Sequence, residues 1–70
     1  MRTVHLAQYT DEHADAIVAA LDRAGIAHWE KRSGRWTRLF FAGEWGTRVF
    51  VDADRVGEAR AIAERVLAGG

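Results

Sequence analysis

Apolar residues recur every three or four positions in the first third of the chain, which is the spacing of an amphipathic helix. This apolar stripe consists of Ala14, Ile17, Val18 and Leu21. Thr10 precedes the stripe and offers a hydroxyl as the N-cap, while Asp11 and Glu12 suit the first turn because the helix dipole favours anions there. Gly25 follows the stripe and suits the left-handed C′ position. The pattern therefore predicts a helix between Thr10 and Gly25.

The same spacing returns near the end of the sequence. There the apolar stripe consists of Val56, Ala59, Ile62, Ala63 and Val66. Asp52 or Asp54 is the predicted N-cap of this second helix, because a short carboxylate side chain can accept from the free amides of the first turn. Gly69-Gly70 is the predicted end.

Alternation of apolar and polar residues predicts the first strand, which spans Thr3 to Ala7. Val4 and Leu6 fall on one face of this strand, and His5 and Ala7 fall on the other. An alternating strand of this kind buries one side only. We therefore expect Val4 and Leu6 in the core.

Two further strands, Ile26 to Arg32 and Arg35 to Ala42, are predicted to form a hairpin. Ser33-Gly34 is the predicted two-residue turn between them. Because side chains alternate between the two faces of a sheet, this turn decides which residues share a face. The residues assigned to the core by this register are Ile26, Leu39 and Phe41.

A last strand is predicted over residues 47–51, where Val49 and Val51 belong to the same core. A four-residue loop over Gly43 to Gly46 would place Phe41 opposite a charged residue inside the molecule. A loop of three or five residues, or a bulge, restores an apolar pairing. We therefore expect an irregular turn before this strand.

The predicted element order is β-α-β-β-β-α in one domain over residues 1–70. A sheet with one apolar face needs a second layer, and two amphipathic helices supply it. The predicted fold is an α/β two-layer sandwich with a four-stranded sheet and two helices on one face.

Composition narrows the functional classes only slightly. Hydrophobic residues make up 49% of the chain, 10 acidic residues balance 10 basic ones, and there is no cysteine. Disulfides and thiolate metal sites are thereby excluded. No apolar run reaches the roughly 20 residues that span a bilayer, and residues 1–5 do not form a signal peptide. We expect a cytoplasmic protein without a membrane partner.

Two segments of the chain carry a resemblance to a known family, Leu21-Asp22-Arg23-Ala24-Gly25-Ile26 and Val49-Phe50-Val51-Asp52-Ala53-Asp54. Through them the chain resembles the small bacterial signal-transducing domains that are related to the PII nitrogen regulators, so the resemblance implies a ferredoxin-like or PII-like variant of the sandwich. The resemblance implies a regulatory or binding module and carries over no catalytic residues. It also implies that the central strand runs antiparallel to the first strand. A tight meander of the last three strands would instead make residues 47–51 parallel to it.

Aromatic and basic residues are concentrated in the segment from Trp29 to Val51. This segment contains six of the seven aromatic side chains. In the predicted register Trp29 faces Arg38 and Lys31 faces Trp36, which would form cation–π pairs. These residues fall on the face opposite the predicted core. The predicted binding residues are Trp29, Lys31, Trp36, Arg38, Phe40, Arg48 and Phe50.

Two interpretations of this face stay open. Exposed rings on an uncovered sheet mark an interaction surface, and homodimerisation through it is the first interpretation. The alternative is a domain that binds single-stranded or double-stranded nucleic acid through the same face, because rings stack on bases while arginines hold phosphates. Zero net charge argues for the first.

No other chemistry is predicted. His5, His13 and His28 lack the spacing of metal ligands, so we expect neither a metal nor a cofactor. His28 is expected to be a hydrogen-bonded residue near the sheet edge. It shares a strand face with Glu30, but no nucleophile or oxyanion site accompanies this pair, so we do not expect an enzyme.

Overall fold

The computed structural model describes residues 2–32 and 46–69. Within these ranges the chain forms an α/β fold with a three-stranded antiparallel sheet and two helices. The strands are β1 (Thr3–Tyr9), β2 (His28–Arg32) and β3 (Thr47–Asp52). The helices are α1 (Asp11–Arg23) and α2 (Val56–Ala68), with a 3₁₀ turn over Ala53–Arg55 before α2.

Helix α1 begins as the sequence predicts. The side-chain oxygen of Thr10 accepts a hydrogen bond from the backbone N–H of His13 at 3.2 Å, which satisfies one of the free amides of the first turn. Asp11 and Glu12 lie in that turn, where the positive end of the helix dipole favours them. The prediction of the N-cap is confirmed.

Helix α1 ends in a Schellman motif at Gly25. Gly25 has φ +71°, its N–H donates to the carbonyl of Asp22, and the N–H of Ile26 donates to the carbonyl of Leu21. Leu21 and Ile26 are both buried, which is the apolar contact that accompanies this motif. The predicted C′ glycine is confirmed, and Ile26 enters the core as predicted although it precedes β2.

The strand order is β1-β3-β2, and β3 runs antiparallel to both neighbours. The tight meander, which would have made residues 47–51 parallel to β1, is wrong. The central position of β3 gives Val49 and Val51 neighbours on both sides in the sheet and buries them completely. A strand flanked on both sides buries more apolar surface than a strand at an edge, which favours this order.

A β-bulge interrupts the pairing of β1 with β3. His5 lies opposite Phe50 and Ala7 lies opposite Val49, so Leu6 is the additional residue. The bulge moves Ala7 to the core side, opposite a buried valine, and the prediction that Ala7 shares a face with His5 is wrong. Leu6 is buried as predicted. The strand also continues beyond the predicted Ala7 to Tyr9.

The core lies between the sheet and the two helices, as one cluster to which all of these elements except β2 contribute. From the sheet come Leu6, Val49 and Val51, and Ile26 joins them from the segment before β2. The helical residues in the cluster are Ala14, Ile17, Leu21, Ala59, Ile62 and Ala63. Both helices therefore place their predicted apolar stripes on the same side of the sheet.

The start of β3 is fixed by two contacts with residues around the start of α1. Gly46 has φ +64°, and its α-carbon approaches the carbonyl of Tyr9 so closely that an added Cβ would overlap the oxygen. The hydroxyl of buried Thr47 donates to Oδ1 of Asp11 at 2.9 Å. These contacts fix the position of β3 against the end of β1 and the first turn of α1.

At its other end β3 leads into α2 through the 3₁₀ turn. The Asp52 carboxylate accepts from the N–H of Asp54 at 3.0 Å, so Asp52 caps this turn. The prediction that Asp52 or Asp54 caps α2 itself is wrong, because the 3₁₀ turn intervenes and Arg55 occupies the N-cap position without a side-chain hydrogen bond to the first turn. Arg55 then reaches across to α1 and donates to the carbonyl of Gly25 at 2.9 Å, while it also pairs with Glu58 in the first turn of α2. The guanidinium thus joins the end of one helix to the beginning of the other.

Several predictions lie outside the described residues. They concern the strand from Arg35 to Ala42, its turn at Ser33-Gly34, the core assignment of Leu39 and Phe41, and the cross-strand pairs of this hairpin. The strand predicted from Ile26 is observed from His28, and it pairs with β3 along the whole of β2.

Candidate interaction face

The sheet has a second side, opposite the core, which we call the open face. Side chains alternate along β3, so Arg48 and Phe50 lie on the open face while Val49 and Val51 lie in the core. Their partners on the neighbouring strands share that face. Two rows of side chains therefore cross the open face: His5–Phe50–Trp29 and Gln8–Arg48–Lys31.

The first row is made of three rings in contact, which we call the ring row. The centroids of Phe50 and Trp29 are 5.0 Å apart with an interplanar angle of 41°, and those of Phe50 and His5 are 5.3 Å apart in an edge-to-face arrangement. Both separations lie in the favourable range for aromatic pairs. Phe50 is half-buried by its two neighbours, whereas 55% of the Trp29 surface is exposed.

The second row is polar and basic, and we call it the basic row. Lys31 lies opposite Arg48, and Gln8 lies opposite Arg48 on the other side. Residues two apart on a strand are separated by about 7 Å, so the basic row runs beside the ring row at that spacing. The open face thus combines an apolar strip with positive charge along one side.

The sequence predicts seven residues on this face, and the structure describes four of them. Trp29, Lys31, Arg48 and Phe50 are brought together on the open face by the pairing of β2 with β3. The other predicted residues, and with them the predicted cation–π pairs, lie outside the described residues: Trp36, Arg38 and Phe40.

His5 and Gln8 are further members of the face that were not predicted from the sequence. The signal for His5 was present, because alternation already placed it opposite Val4 and Leu6. It was not combined with Trp29, which is distant in sequence, because the pairing of β1 with β3 was unknown. Gln8 could not be assigned, since the bulge reverses the alternation between His5 and Ala7.

Two titratable side chains outside the two rows, those of His28 and Arg32, make structural contacts. The Nδ1–H of His28 donates to the carbonyl of Ile26 at 2.9 Å, which confirms the predicted hydrogen-bonded histidine. Arg32 pairs with Asp15 at 2.6 Å, and this hydrogen bond raises the pKa of Arg32. The pair joins β2 to α1, but both side chains are largely exposed, so its contribution to stability is small.

Tyr9, at the end of β1 on the side of the core, has a perturbed phenol. Burial raises the pKa of Tyr9 above its ordinary value, Arg60 opposes that increase, and Glu64 adds to it. The direction follows from desolvation, which disfavours the phenolate. Tyr9 packs against the hydrophobic core and is not part of the open face.

Among residues 2–32 and 46–69, no group of three or more histidine, aspartate or glutamate side chains is arranged to hold a metal ion. Neither α1 nor α2 has the length and apolar character needed to cross a membrane. Comparison of the chain with family models, curated proteins and solved structures gives no significant match. The open face is therefore the feature of the described residues that indicates a function.

Proposed function

We propose that the protein is a non-enzymatic interaction module of the cytoplasm that self-associates through the open face. The observation that supports this proposal is the ring row, in which Trp29 is 55% exposed at the end of a continuous strip of aromatic rings. Exposed single apolar residues are ordinary, but an exposed ring that adjoins a second, partly accessible ring on a sheet marks a contact surface. Tryptophan is also enriched among the residues that dominate binding energy.

Covering the Trp29 side chain in a dimer contributes substantially to the free energy of association. A tryptophan buries up to about 250 Å², so its exposed half corresponds to roughly 130 Å². At about 25 cal/mol per Å², covering that surface contributes roughly 3 kcal/mol for each protomer. Phe50, which is itself in contact with His5, packs against the Trp29 ring from one side, so less side-chain entropy is lost on association.

The area of the open face indicates how tightly two protomers would associate. Three strands of about six residues present roughly 14 by 20 Å, or about 300 Å², whereas a standard interface covers about 800 Å² on each partner. The described strands alone would therefore give a weak, concentration-dependent dimer. The predicted hairpin residues Trp36, Arg38 and Phe40 would supply further area if they lie on the same face.

The experiment is multi-angle light scattering on a sizing column over a wide concentration range. The test variant is Trp29→Asp, and the matched control is Leu67→Asp, because Leu67 is the other exposed large hydrophobic residue of the described ranges and lies on α2. We expect the wild type and Leu67→Asp to form dimers and Trp29→Asp to remain monomeric. Circular dichroism shows whether both variants are folded.

Two outcomes would refute self-association through this face. One is a wild type that stays monomeric at the highest concentration. The other is a dimer that Trp29→Asp leaves intact while Leu67→Asp dissociates it, since the contact would then lie on the helical side.

The fold proposed for the complete domain is a ferredoxin-like, four-stranded sandwich of the kind found in signal-transducing domains related to PII. The order β1-β3-β2, with α1 between β1 and β2 and with α2 after β3, supports it. Residues 35–42 are the proposed fourth strand. Secondary chemical shifts and cross-strand contacts of these residues in solution test this assignment.

Nucleic-acid binding is the second candidate, and the basic row supports it. Lys31 and Arg48 lie beside the ring row at about the spacing of alternate residues on a strand, so a base stacked on Trp29 would have its phosphate near a cation. Titration with oligonucleotides at about 50 and 200 mM salt distinguishes this function. Nucleic-acid binding is supported if the affinity falls as the salt concentration rises and if Lys31→Gln makes this fall smaller. Dimerisation through rings, by contrast, depends little on salt.

A further inference from the structure

A groove runs between the two helices on the side of the molecule away from the open face. Its volume is about 490 Å³. Its floor is apolar because it includes core residues that the helices leave partly uncovered, and the small alanines of α1 leave the space unfilled. The floor residues are Ala20, Ala24, Ile62 and Val66.

Two arginines complete the lining of this groove, Arg23 from α1 and Arg65 from α2. Both are exposed, and neither makes an ion pair or a side-chain hydrogen bond within the described part of the chain. The neighbouring acids point elsewhere. Asp22 is two positions from Ala20, and Glu64 is two positions from Ile62, so each lies about 200° around its helix from an apolar residue of the floor.

The free carbonyls at the end of α1 bind Arg55 and not Arg23. Arginine in a last turn stabilises a helix through its free carbonyls. At α1 it is Arg55 that donates to the carbonyls of Ala24 and Gly25, at 3.4 and 2.9 Å. The Arg23 guanidinium is therefore available to a ligand in the groove.

We propose that this groove binds a small amphiphilic anion, with an apolar chain or ring on the floor and a carboxylate or phosphate head between Arg23 and Arg65. Guanidinium groups match the geometry of these two heads and bind them with paired hydrogen bonds. The volume lies within the range of small-molecule sites, about 300 to 1,000 Å³. The charge of the rim selects an anion, and the apolar floor selects its hydrocarbon part.

The experiment is a nuclear magnetic resonance titration of the full chain with sodium octanoate and with octyl phosphate, which distinguish the two head groups, and with octanol as the neutral analogue. We expect saturable shifts at the residues of the groove for one or both anions and much weaker binding of octanol. Shifts confined to Trp29 and Phe50, or equal affinity for octanol, would overturn the proposal.

Substitution of the rim provides the second measurement. The double variant Arg23→Gln with Arg65→Gln should bind the anion at least about tenfold more weakly, since charge-assisted hydrogen bonds are lost. Arg60→Gln is the matched control, because Arg60 lies on α2 beside Tyr9 and outside the groove. It should retain wild-type affinity. An unchanged affinity in the double variant, with its fold intact by circular dichroism, would overturn the proposal.

Discussion

Replacement of Gly46 by alanine should destabilise this protein severely. An added Cβ would overlap the carbonyl oxygen of Tyr9 and lie 3.0 Å from its carbonyl carbon. Both atoms belong to the backbone at the end of β1, which is held by the pairing of Tyr9 with Thr47. The contact therefore cannot be relieved by rotation of a side chain.

Two costs contribute to the expected loss of stability. The positive φ of Gly46, +64°, costs an alanine about 1 to 2 kcal/mol. Moving β3 away from Tyr9 disturbs buried contacts as well, so we expect a total of about 3 kcal/mol or more. A domain of 70 residues has a free energy of unfolding of roughly 4 to 10 kcal/mol, so this loss is a large share of it.

Two other glycines provide controls that separate these costs. Gly25 has nearly the same φ, +71°, but an added Cβ there meets nothing within 4 Å, so Gly25→Ala should cost only about 1 to 2 kcal/mol. Gly57 lies in α2 with open space around it, and Gly57→Ala should stabilise the protein by about 0.5 kcal/mol through helix propensity.

Urea unfolding followed by circular dichroism, at one low protein concentration for all variants, measures these differences. The expected order of stability is Gly57→Ala above the wild type, then Gly25→Ala, then Gly46→Ala. If Gly46→Ala lost no more than Gly25→Ala, backbone strain alone would account for the effect. The close approach of β3 to Tyr9 would then be refuted.

Three further outcomes follow from individual contacts. Thr47→Val should cost about 1 to 2 kcal/mol in urea unfolding because Asp11 loses a hydrogen bond from a buried hydroxyl, while Thr47→Ser should cost less. Tyr9 is the only tyrosine, so ultraviolet absorbance should show its phenol titrating above pH 10.0 in the native protein and near 10 in urea. Because the pKa of Tyr9 is higher in the folded state than in the unfolded state, the protonated phenol contributes to the free energy of unfolding. This contribution is complete below pH 10 and is lost as pH rises through the folded pKa. Arg55→Gln should speed hydrogen exchange of the Gly25 amide, because the guanidinium of Arg55 holds the end of α1 through the carbonyl of Gly25. Unchanged exchange would contradict this role.

Local features of the fold were predictable because they depend on residues that are close in sequence. The stripe Ala14, Ile17 and Leu21 specifies a helix and its buried side without knowledge of any partner. Gly25 specifies the end of that helix because an αL conformation is costly for other residues. The alternation around Val49 and Val51 likewise identifies a strand and its inner face.

The candidate site was predicted only in part, because it is built from residues that are distant in sequence. Alternation assigns Trp29 and Phe50 to a face, but it does not say which strands are neighbours. A row of three rings exists only because β3 lies between β1 and β2, which brings His5 to Phe50 across a large separation in sequence. The bulge at Leu6, which sets where Gln8 points, is also a property of that pairing.

By itself, then, the sequence determined the two helices, both ends of α1, and the strand β3 with its inner face, because hydrogen bonds and side-chain periods within a few residues decide them. The tertiary structure alone decided the central position and direction of β3. The alternation of apolar residues does not say which strands flank Val49 and Val51, because that choice depends on contacts between distant segments. Among these contacts are the approach of Gly46 to Tyr9 and the hydrogen bond from Thr47 to α1, which form only when the whole domain packs.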